Sequence, residues 1–64
     1  MNLKYIRELR LLSQTQLAKK LGITQGYISQ IETGNKEPTV RLLKKIAVAL
    51  NVSPGELLED KHKM

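Results

Sequence analysis

Apolar residues recur along this chain three and four positions apart, and each run stops at a residue that ends helices. Leu3, Ile6 and Leu9, with Tyr5 at the margin, predict a first helix from an Asn2 N-cap to about Arg10. Ser13 opens a second, because Gln16 lies three residues on and the two side chains suit a capping box. That helix carries Leu17, Ala18 and Leu21 on one face and ends at Gly22, where a left-handed residue costs glycine little. Thr24 caps a third helix over about 25–33, with Ile28 and Ile31 inward, and Gly34 ends it. Asn35 to Pro38 read as an exposed loop. A fourth helix over about 39–50 places Val40, Leu43, Ile46, Ala47 and Leu50 on its apolar stripe and closes near Asn51. Ser53-Pro54-Gly55-Glu56 combines a second capping box with proline at the first helical position. It predicts a short fifth helix to about Glu59, from which only one of Leu57 and Leu58 can point inward.

No segment alternates like a strand, so the fold class is all-α, five short helices around one core. With 64 residues the chain holds one domain, of which a single core is all the surface-to-volume ratio allows. Residues 1–60 are assigned to it and 61–64 to a frayed tail. There is no cysteine, which removes disulfides and thiolate metal sites from consideration. The longest apolar run, Ile46 to Leu50, is too short for a membrane span or a signal core, and a cytoplasmic location is expected.

Charge changes the picture in one respect. Residues 1–45 carry nine bases against three acids, while residues 46–64 carry two bases against three acids. A basic body suits a polyanionic partner, although on charge alone a merely soluble surface fits as well.

The informative stretch runs from Gln14 to Thr33. Two helices that cross steeply through a tight turn need a small residue at the crossing, which Ala18 supplies, and a positive-φ turn, which Gly22 supplies. Leu17, Leu21, Ile28 and Ile31 then bury the inner faces. The segment LSQTQLAKKLGITQGYISQIETGNKEPTVRLLKKIAVALNVSPGEL resembles the lambda repressor/Cro (Xre-type) helix-turn-helix family. The motif residues are Ser13-Gln14, Leu17-Ala18, Gly22, Ile28, Ile31-Glu32, Gly34 and Pro38, followed by Leu43, Ala47, Leu50, Val52 and Leu57. The likeness extends over about residues 3–58.

That resemblance implies a five-helix, lambda repressor-like DNA-binding domain whose third helix enters the major groove. It implies that Gln25, Gly26, Tyr27, Ser29 and Gln30 face base edges. At 100° per residue, positions 26, 30 and 33 lie opposite Ile28 and Ile31, with Gln25 and Tyr27 on the flanks. Glutamine suits the N6/N7 edge of adenine, and Gly26 departs from the pattern by offering no side chain. Gln14, at a helix N-terminus, is expected to anchor to phosphate and brace Gln25. Thr33, Asn35 and Lys36 are the next phosphate candidates, and Arg10, Lys19 and Arg41 weaker ones. Arg7 and Glu32 match a structural salt bridge that links the first helix to the end of the third. Leu11 is a departure, since many relatives have glycine there; a somewhat different turn with Leu11 exposed is the expectation.

Leu42, Val48 and Leu58 are the candidates for an exposed apolar patch, either a dimer seam or scattered surface residues. The expected partners are double-stranded DNA and a second copy of the chain, with no membrane, cofactor or small-molecule ligand. The function implied is sequence-specific transcriptional regulation, repression foremost. The alternative is a protein-interaction module such as an antitoxin subunit, which the apolar patch would serve. RNA binding has little support, because two tyrosines make no stacking platform. Lys44 and Lys45 read as a solvated face. With one histidine, His62 in the tail, and no carboxylates facing a common cleft, no acid–base pair or nucleophile is apparent for an enzyme.

Overall fold

Four of the five helices begin on a hydroxyl side chain that takes up a free backbone N–H, and this sets their register. In the computed structural model, which describes residues 1–59, the helices are α1 (Leu3–Leu9), α2 (Gln14–Leu21), α3 (Gln25–Thr33), α4 (Val40–Leu50) and α5 (Pro54–Leu58). No strand occurs among the described residues. The tail 61–64 and His62 lie outside them. The Gln16 backbone N–H donates to Ser13 Oγ at 3.0 Å, and the Ser13 N–H donates to Gln16 Oε1 at 2.8 Å. The same reciprocal pair joins Ser53 and Glu56. Thr24 and Thr39 accept from the N–H groups of Tyr27 and Leu42. Each such cap contributes about 1 kcal/mol. Asn2 departs from the expected cap: its side chain makes no capping bond, and the residue is buried, its N–H donating to the Leu57 carbonyl at 3.1 Å. It thus ties the start of α1 to α5.

The first four helices end in one way. After α2, Gly22 is left-handed, its N–H donates to the Lys19 carbonyl, and the Ile23 N–H reaches back to the Ala18 carbonyl. The same two-bond closure follows α3 at Gly34 and α4 at Asn51, a Schellman ending in each case. It also follows α1, where the left-handed residue is Leu11 at φ 60°. The turn is therefore the closure that Gly22 and Gly34 make, and not the different one expected. Leu11 adopts it at a steric cost, with its side chain 89% exposed.

The core is formed by Leu3, Ile6, Leu17, Ala18, Leu21, Ile28, Ile31, Leu42, Ile46, Leu50 and Leu57. α3 packs on α2 and α1, α4 supports α2, and α5 closes the bundle against α1 and α4. The apolar stripes of α1 and α4 are rotated from those expected. On α4, Leu42 is only 8% exposed whereas Val40 is 69% exposed. The reason is phase: Leu42 lies one turn before Ile46, which is fully buried, and Val40 lies well round from it. Leu42 therefore leaves the proposed exposed patch. On α1, Leu9 is exposed and the inward position is taken by Arg7. Leu57 is buried and Leu58 exposed, as a short helix requires.

Leu11 supplies a direct test of the turn. Leu11→Gly removes a left-handed strain of about 1–2 kcal/mol, offset in part by the greater backbone entropy of glycine. A net gain of about 1 kcal/mol should raise the melting temperature by roughly 4–8 °C, read by circular dichroism.

Candidate nucleic-acid interface

α3 divides cleanly into two faces. Ile28 and Ile31 are buried against α2 and α1, while Gln25, Gly26, Gln30 and Thr33 are exposed. Tyr27 and Ser29 lie half-buried at the flanks. The closure at Gly22 sets the direction of this helix, and the Thr24 cap fixes its first turn. An added Cβ at Gly26 would meet nothing within 4 Å, so no neighbour in the protein requires glycine there. A shallow depression, lined by Thr24, Gly26, Tyr27, Gln30 and Lys36, crosses this face.

The loop after α3 is tied back to the helix. The Gln30 carbonyl accepts from the N–H groups of Asn35 and Lys36, at 2.9 and 3.2 Å, and from the Thr33 hydroxyl at 3.1 Å. Asn35 and Lys36 are exposed beside the polar face of α3. The Lys36 ammonium stands 5.9 Å from the centre of the Tyr27 ring, within the range of cation–π attraction.

Behind the face lies a chain of polar contacts. Arg7 Nε donates to Glu32 Oε2 at 2.6 Å, and its Nη2 donates to Oε1 at 3.2 Å. Its Nη1 donates to the Leu12 carbonyl at 2.8 Å. Both side chains are nearly inaccessible, Arg7 at 8% and Glu32 at 4%. Glu32, by accepting these bonds, pushes the Arg7 pKa up, against the opposing effect of burial. Gln14 Nε2 donates to Glu32 Oε1 at 2.9 Å, and Gln25 Nε2 donates to Gln14 Oε1 at 2.5 Å. The structure thus brings Arg7, Glu32, Gln14 and Gln25 into one continuous network that runs from the interior to the tip of the first residue of α3.

Sequence reasoning missed the Gln14–Glu32 link, which joins two helices and leaves no spacing signal. It also missed two basic caps on helix ends. Arg10 Nε donates to the Leu50 carbonyl at 2.8 Å, and Lys45 Nζ donates to the Leu21 carbonyl at 3.4 Å. Arg10 is accordingly engaged within the protein. The proposed apolar patch is not continuous either. Leu42 is in the core, Val48 lines a groove with Lys20, Leu21 and Lys44, and Leu58 lines another with Met1, Pro38 and Leu43.

The chain matches the family described as Helix-turn-helix over residues 3–57. The chain belongs to the helix-turn-helix family. It is similar to the HTH-type transcriptional regulator SinR of Bacillus subtilis, 34% identical over 61 residues, covering 94% of this chain and 55% of SinR. It thus spans little more than half the length of that relative. An uncharacterized HTH-type transcriptional regulator of Methanocaldococcus jannaschii, MJ0272, is 49% identical over 45 residues, covering 70% of this chain and 68% of that one. The crystal structure of SinR, the master regulator for biofilm formation, in complex with DNA superposes with a TM-score of 0.81 at 33% identity, covering 89% of this chain and 92% of that one. Among the described residues no helix is long and apolar enough to cross a membrane.

Loss of one member tests the buried pair. Arg7→Ala leaves a carboxylate buried without its counter-ion, which typically costs about 3–5 kcal/mol. Denaturant unfolding should show that loss, whereas an apolar double replacement, Arg7→Met with Glu32→Leu, should be much closer to wild type.

Proposed function

We propose that this chain is a sequence-specific double-stranded DNA-binding transcriptional regulator, acting as a repressor, that reads the major groove with α3. The observation that carries the reading is the exposed polar face of α3, backed by a hydrogen-bonded network and flanked by Asn35 and Lys36. On this reading Gln25, Gly26, Tyr27, Ser29 and Gln30 meet base edges. Gln14, Thr33, Asn35 and Lys36 meet phosphates, and the Arg7–Glu32 pair holds the helix at its angle. The open space over Gly26 leaves room for close approach of the DNA. Support comes from the family and from the DNA complex of SinR, whose fold this chain shares over most of its length.

A helix of nine residues is about 13.5 Å long, the rise of about four base pairs at 3.4 Å each. One copy therefore reads a half-site. Specific binding calls for a homodimer on two half-sites about 34–36 Å apart. Residues 1–60 constitute the DNA-binding domain. The protein acts in the cytoplasm as a binding protein without catalytic activity, cofactor or small-molecule ligand. Its regulation is set by occupancy of DNA.

Selection of bound duplexes from a random pool tests this directly, since it should return a palindrome whose affinity falls steeply with salt. Gln25→Ala should weaken binding by about 1–3 kcal/mol and relax preference at one base pair per half-site. Lys36→Ala should weaken all duplexes alike and lower the salt slope by about one. No enrichment from the pool, or an affinity indifferent to salt, would overturn the reading.

A further inference from the structure

Hydrogen bonds have a direction, and in the network behind α3 each one points toward Glu32. Glu32, paired with Arg7, is a carboxylate and has no proton to give. The amide that meets it, Gln14, must therefore turn its NH2 group inward, as the 2.9 Å bond to Glu32 Oε1 has it. That leaves the Gln14 carbonyl oxygen facing outward, where it accepts from Gln25 Nε2. Gln25 in turn has spent one N–H on Gln14. Its carbonyl oxygen and its second N–H remain, side by side, at the exposed tip of the side chain.

We infer that Glu32 is a specificity-determining positioning residue: acting through Gln14, it fixes the polarity of the Gln25 amide and thereby selects adenine over guanine at the base pair Gln25 meets. The inference rests on Gln25 being a base-reading residue. Adenine presents a donor, N6–H, and an acceptor, N7, on its major-groove edge, and these match the free acceptor and donor of Gln25. Guanine presents two acceptors, O6 and N7, so its O6 would face the Gln25 carbonyl oxygen. Reversed, the network would expose both N–H groups of Gln25 and suit guanine. The inward end of the network, which never touches DNA, thus decides what its outward end can read. Arg7 has a separate task. It neutralises Glu32 and orients it, and contributes no polarity of its own.

The test uses a duplex selected from a random pool by the wild-type chain, and a second duplex in which the base pair identified with Gln25→Ala is changed from A·T to G·C. The wild type should prefer the first by about fivefold to 150-fold, the range for one good bidentate contact. Gln14→Met keeps the Arg7–Glu32 pair but breaks the relay. It should bind both duplexes more weakly and bring the ratio to within about threefold. Glu32→Gln, if folded by circular dichroism, should do the same, because an amide at position 32 can accept or donate. Arg7→Lys, which leaves Glu32 an acceptor, should lower stability and keep the ratio. A wild-type site with guanine at that base pair overturns the inference. So does a full adenine preference in Gln14→Met, or a uniform loss in Glu32→Gln with the ratio kept, which would reduce Glu32 to a structural role. If Gln25→Ala itself weakens every duplex alike, the base-reading role fails, and the inference fails with it.

Discussion

The carboxylate of Glu32 is the constraint on which the arrangement of the first three helices depends. A buried charge is tolerated only when it is paired and its remaining lone pairs are filled. Glu32 sits near the end of α3, and its partners come from elsewhere: Arg7 from α1 and Gln14 from the first turn of α2. One group thus orients three helices at once. Arg7 extends the constraint by donating to the Leu12 carbonyl, which fixes the chain between α1 and α2. An apolar contact at the same place would bury area without specifying angles, because hydrophobic attraction is not directional. The inward rotation of Arg7 and the outward rotation of Leu9 on α1 follow from the same requirement.

The helices themselves are too short to be stable alone, so their ends matter as much as their faces. Each hydroxyl cap at four starts takes up one N–H, and the left-handed closures at four ends take up carbonyls that the helices leave open. The closure at Gly22 is the one that bears on function, because it turns α3 so that Ile28 and Ile31 go inward and Gln25, Gly26 and Gln30 stay outward. Arg10 and Lys45 add cationic partners to the carbonyl ends of α4 and α2, a favourable place for positive charge. Part of the basic surplus of the chain is therefore used inside the fold.

Helix positions were readable from local signals, since capping boxes, glycine endings and apolar spacing act within a few residues of the sites that carry them. The left-handed turn at Leu11 was hidden because no local rule puts leucine there. The phase of α4 is not legible locally: Val40 and Leu42 are both apolar, and only packing against the rest of the core decides between them. At the interface, the faces of α3 followed from helical periodicity, and the Arg7–Glu32 pairing and the bracing of Gln25 by Gln14 entered through family resemblance. The bond between Gln14 and Glu32 had no such signal. It spans eighteen residues and exists only because α2 and α3 cross.

The central claim is that the polar face of α3, held from behind by this network, is the surface that meets duplex DNA. Titration of the 15N-labelled protein with its selected duplex, followed by amide chemical shifts, tests it most directly. The account predicts the largest changes at Gln25, Gly26, Tyr27, Ser29 and Gln30 and in the side-chain amides of Gln14 and Gln25, with little change around Val48. A perturbed surface centred on α4 and α5, with α3 unmoved, would contradict it.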